Sequence, residues 1–170
     1  MNCRLLLTTA LFGLLTGCGS LPPLAEPAAS RTQAAQQAVP VEALNADVRQ
    51  DTIQQTICVP GYTASVRPST TYTNGVKLKL VRERGLPASA ASDFELDHRA
   101  PLALGGHPRN PQNLMLQPWE GPDGAKVKDR LERRLQQLVC AGKLLLDDAR
   151  RAIYFDWQGA YRSYVQVAPQ

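Results

Sequence analysis

Phe94-Glu95-Leu96-Asp97-His98-Arg99-Ala100-Pro101-Leu102, followed by Gly105-Gly106 and then Asn113-Leu114, is the stretch on which the fold turns. Residues 94–97 are a short strand candidate. Residues 101–111, with Gly105-Gly106 and prolines, predict a loop, and residues 113–117 a second strand. Adjacent side chains in a regular strand point to opposite faces. A bent strand end lets an acid and an imidazole converge on one point, so Asp97-His98 is expected where strand becomes loop.

Downstream, the clearest element is a helix over residues 124–139. Val127, Leu131, Leu135 and Leu138 recur at helical spacing and predict its apolar face. Lys126, Lys128, Arg130, Arg133 and Arg134 occupy much of the rest, and Gly142 is a plausible stop. A second helix is expected from Asp147, whose Asp147-Asp148 pair suits a positive N-terminal end. Trp157, Tyr161 and Tyr164 are expected to pack near the end. Upstream, residues 63–67 read as a short strand ended by Pro68. The alternating stretch 76–81 is open between a strand and a short helix, with a helix before Gly85 preferred. Some helix is allowed near residues 42–54.

The N-terminal residues read differently. One positive charge, Arg4, precedes an apolar run over residues 5–15. At about 1.5 Å per residue that run is too short for a bilayer core of about 30 Å, so residues 1–17 read as a secretory signal peptide. Leu15-Thr16-Gly17-Cys18 resembles the lipobox of bacterial lipoproteins. That resemblance implies lipidation of Cys18 and anchoring in the cell envelope by several acyl chains. Gly19-Ser20 in place of an Asp implies the outer membrane. Residues 18–50, rich in Ala, Pro, Gln and Ser, read as a flexible tether, which leaves residues 51–165 as one domain. The net charge of +4 and pI near 9.0 permit a polyanionic partner without requiring one. Of four cysteines, Cys3 leaves with the signal peptide and Cys18 is lipidated. Cys58 and Cys140 remain as an even pair in an exported domain, which predicts a disulfide, with two buried thiols as the alternative.

An Asp-His pair, Pro-Leu after it, a Gly-Gly loop, Asn-Leu opening a second strand and then a helix together resemble the HNH (ββα-metal) endonucleases over residues 93–135. The match is to an exported subgroup with Tyr72-Thr73-Asn74, Lys128-Asp129-Arg130-Leu131-Glu132 and Val139-Cys140. The fold this implies is α+β: a small ββα-metal core with flanking helices, braced by the disulfide. The function implied is metal-dependent phosphodiester hydrolysis of nucleic acid outside the cytoplasm. His98 would be the general base and Asp97 a metal ligand. Asn113 would hold the loop and orient His98. The cation would be Mg2+, with Mn2+ or Zn2+ as alternatives.

The chain departs from that pattern in one respect. It has only His98 and His107, so no histidine lies on the helix to complete a metal site. Asp129 is the first substitute, with Glu132 beside it and Asp123 as a third option. His107 could add a ligand, though an exposed loop histidine is preferred. Glu95 shares the Asp97 strand face and could ligate or pair with a basic side chain, pairing being preferred. Lys126, Lys128 and Arg130 could meet phosphates without base specificity. No Cys-x-x-Cys knuckle is present for zinc. The alternative function is a non-catalytic envelope lipoprotein that uses the ββα scaffold for binding.

Overall fold

The computed structural model describes residues 37–166. The signal peptide, Cys18 and the first part of the tether lie outside the described residues. Among the described residues no helix is long and apolar enough to cross a membrane.

The architecture is α+β, a two-stranded antiparallel hairpin set among helices. Strand β1 is Phe94–His98 and β2 is Leu114–Pro118, in a register that sets Asp97 opposite Met115 and His98 opposite Leu114. The long connection between them is held by Asn113, which is fully buried. Its Nδ2 donates to the carbonyls of Ala100 and His107, and its Oδ1 accepts from the Ala100 N–H. Gly106 lies so close to this knot that a Cβ would come within 1.7 Å of the Ala100 oxygen. The Gly-Gly pair is therefore a packing requirement as well as a turn.

Among the described residues four α-helices surround the hairpin. Helix α1 is Tyr62–Val66 and α2 is Thr70–Glu83, the latter capped by the Ser69 hydroxyl. Residues 63–67 were expected to extend, yet the left-handed turn at Gly61 starts a helix there, and Pro68 follows its end rather than a strand's. Stretch 76–81 is helical, as preferred. From α2, Lys77 donates to the Phe94 carbonyl and Arg84 to that of Leu116, which pins both strands.

Helix α3 is Ala125–Cys140 and α4 is Leu146–Tyr161. Gly142, at φ 68°, ends α3 with bonds from Lys143 N–H to the Leu138 carbonyl and from Gly142 N–H to that of Val139. The buried face of α3 is rotated from the expected one. Lys128, Leu131, Leu135 and Val139 are fully buried, whereas Val127 and Leu138 are only partly so. Val48, Ile57, Leu104, Leu146 and Ile153 complete the core around Leu131 and Leu135, and Trp157, Tyr161 and Tyr164 pack against it. The Cys58–Cys140 disulfide is formed, joining the end of α3 to the segment before α1.

The tether ends earlier than expected. Val39, Ala43 and Val48 are buried, the Asn45 N–H donates to Gly105, and the His107 N–H donates to Ala43. Residues 39–50 thus strap the Gly105-Gly106 loop. Buried Arg150 of α4 fastens that strap by donating to the carbonyls of Val48 and Leu104. The apolar residues of this stretch follow no sustained helical or strand period, so the pattern does not announce the strap.

Candidate functional site

Between the end of β1, α1 and α3 lies a polar cleft of about 300 Å³. Strand alternation brings Glu95 and Asp97 to one face, and the turn after His98 lets the imidazole join them. From α3, residues 129, 132, 133 and 136 share one helical face and line the opposite wall. Arg67, just past α1, contributes from the side.

The floor is built on Lys128, which is 1% exposed. Its Nζ donates to Asp97 Oδ2 at 3.0 Å, to the His98 carbonyl at 2.8 Å and to Glu132 Oε1 at 2.5 Å. An ammonium has three N–H donors, and each has an acceptor here. Asp97 Oδ1 is also engaged, accepting the His98 N–H at 2.6 Å. Burial works against the charge on Lys128, but Glu132 and Asp97 outweigh it and hold its pKa above the ordinary lysine value. Burial pushes the Glu132 carboxyl up, against the pull of Lys128.

His98 is 7% exposed, and its Nε2 lies 3.2 Å from the Pro108 carbonyl. A carbonyl only accepts, so Nε2 carries the hydrogen and Nδ1 is the basic nitrogen of the neutral ring. Burial lowers the pKa of His98, opposed by the Pro108 bond and the Asp97 charge. Glu95 is pushed up to about 7, first by burial and then by Asp97, Asp129 and Glu132. It makes no ion pair among the described residues, contrary to the expected partnership with a base.

The hairpin and α3 bring Asp97, His98, Asp129 and Glu132 to one cleft. Among the described residues the Asn113 side chain holds the loop but makes no hydrogen bond to His98, whose Nε2 bonds the Pro108 carbonyl instead. The three basic residues expected to meet phosphates do not share a surface. Lys128 is buried beneath the cleft, Lys126 pairs with Glu120, and the Arg130 guanidinium lies over the Tyr161 ring at 5.3 Å. Asp123 accepts from Gln158, outside the cleft. His107 accepts two backbone N–H groups at Nδ1, from Arg109 and Asn110, and so shapes its loop.

Arg133, one of the basic residues on the α3 face, lines the cleft; Arg67 is the functional candidate that sequence reading passed over. No local signal marks Arg67, because its position follows from α1 being helical.

Among the described residues no group of three or more His, Cys, Asp or Glu is placed to hold a metal ion. The donor chemistry agrees. Each Asp97 oxygen already accepts a hydrogen bond, and an ammonium stands between Asp97 and Glu132. The arrangement does not fit the divalent cation that the sequence resemblance implies.

No family model, curated protein or solved structure matches the chain. Fold and cleft together define its class: a disulfide-braced α+β domain in which a helix buries a lysine against a strand-end Asp-His pair.

Proposed function

We propose that the cleft hydrolyses phosphodiester bonds of nucleic acid on an HNH-like ββα frame. One observation carries this reading. His98 gives Nε2 to the Pro108 carbonyl, and its basic Nδ1 has no hydrogen-bond partner among the described residues, in a cleft that Arg67 and Arg133 also line. Nδ1 takes a proton from water while the water oxygen bonds to phosphorus. The bond from phosphorus to the leaving sugar oxygen breaks, and that oxygen takes a proton from solvent. The guanidinium groups match phosphate oxygens in geometry and charge.

The test is cleavage of DNA and of RNA by the full chain. His98→Ala is expected to lower the rate at least about a hundredfold. Arg67→Ala and Arg133→Ala are expected to weaken substrate binding and flatten its salt dependence. Cleavage indifferent to His98→Ala defeats the reading.

The exported, envelope-anchored setting belongs to the same proposal and rests on the lipobox at Cys18. Fatty-acid labelling that disappears in Cys18→Ala is the expected result, and labelling that persists rules out lipidation at Cys18.

The satisfied Lys128 cluster favours one second reading, a scaffold that binds polyanions through Arg67 and Arg133 without cutting them. Salt-sensitive binding with intact substrate would select it.

A further inference from the structure

We infer that Lys128 is the resident cation of this site and that the cleft excludes divalent metal. The inference deepens the hydrolytic reading above, and its activity arm rests on that reading. Lys128 rises from the first turn of α3 and ends where the Asp97 and Glu132 carboxylates and the His98 carbonyl converge. Its three donors are spent on those three acceptors, and the residue is closed off from solvent.

A divalent ion of the Mg2+ or Mn2+ type needs several oxygen ligands at short range and tolerates few substitutes. To take Asp97 and Glu132 it would have to displace a buried ammonium already bonded to both. Beside the ammonium it would meet a second positive charge. The carboxylates left over are Glu95 and Asp129, which line the same cleft as Arg67 and Arg133. The positive groups that line the cleft itself are those two guanidinium groups.

Lys128 is then a positioning residue. It fixes the Asp97 carboxylate and the His98 carbonyl, and with them the strand end from which the imidazole enters the cleft. It does not touch substrate. The charge that a metal would place on the phosphate comes from the two arginines.

The experiment has two readouts on the full chain. Mn2+ is titrated and followed by the electron paramagnetic resonance of the free ion. The expected result is no loss of signal beyond buffer up to about millimolar Mn2+, weaker than any ordinary resident site. Uptake of one ion per chain that vanishes in Asp97→Asn overturns the inference. Removing the ammonium in Lys128→Met frees both carboxylates and is expected to raise Mn2+ affinity about tenfold or more. A folded Lys128→Met that binds no better than the native chain also overturns it. Should that variant not fold, the titration of the native chain decides alone.

In the second readout, cleavage is compared in EDTA and in Mg2+. Equal rates support the inference, and loss of cleavage in EDTA overturns it. Absence of cleavage in both defeats the hydrolytic reading instead, and the Mn2+ titration still decides this one.

Discussion

Toward its C-terminal end, α3 lays Leu131, Leu135 and Val139 into the apolar core, and Cys140 ties it to Cys58. Near its start the same helix buries the Lys128 ammonium among Asp97, Glu132 and the His98 carbonyl. Lys128 is as closed to water as those apolar side chains, yet the two halves are held by different physics. The apolar half gains from removing surface from water, a diffuse effect shared among many contacts. The charged half depends on one side chain that balances two carboxylates in a region where an unpaired charge is costly. The apolar half resembles any core. The charged half is specified by four groups, and they are the groups beside the cleft.

Breaking the charged half is expected to have the largest effect. Lys128→Ala leaves Asp97 and Glu132 facing each other without a cation and should cost about 3–5 kcal/mol in urea denaturation. A loss under about 1 kcal/mol would mean that water reaches the cluster and the contrast is weaker than drawn. Breaking the apolar half with Leu135→Ala should cost about 3 kcal/mol, through lost burial and the cavity left behind.

Removing the disulfide by Cys58→Ser with Cys140→Ser, across a separation of 82 residues, should cost about 2–3 kcal/mol. The His98 titration followed by NMR should stay where it is, because the bridge braces the apolar end alone. A moved titration would couple the two halves.

The smallest effect concerns Glu95. Its carboxyl is raised from 4.5 to about 7, so the folded state holds the proton to higher pH than the unfolded chain. The stability this contributes is full below pH 4.5 and is lost as pH rises through about 7. Glu95→Gln removes that loss. The variant should therefore gain about 1 kcal/mol over the native chain at pH 8, with the gap closing toward pH 4, solvent screening having trimmed the value. A gap independent of pH would mean that Glu95 finds a cation in solution.

Much of the arrangement was legible in the residues themselves. The hairpin, α3 and its glycine stop, the start of α4 and the cysteine pair all follow from local signals: turn residues, helical spacing and cysteine arithmetic. Asp97 and His98 could be expected at a strand end because adjacent side chains meet only where a strand bends. The face of α3 was less legible. Counting apolar residues selects Val127 and Leu138, and no apolarity scale ranks a lysine as a core residue. Lys128 is buried because Asp97 and the His98 carbonyl arrive from a strand some thirty residues earlier to receive it. Arg67 reaches the cleft only because five residues before it form a helix.

By itself, the sequence determined which elements form and which residues stand at their ends, since capping, turn chemistry and periodicity act over a few residues. Only the tertiary structure decided which charges meet, because the cost of burying a charge is set by partners distant in the chain. That long-range choice buried a helix lysine beside the cleft and set its ammonium between the Asp97 and Glu132 carboxylates.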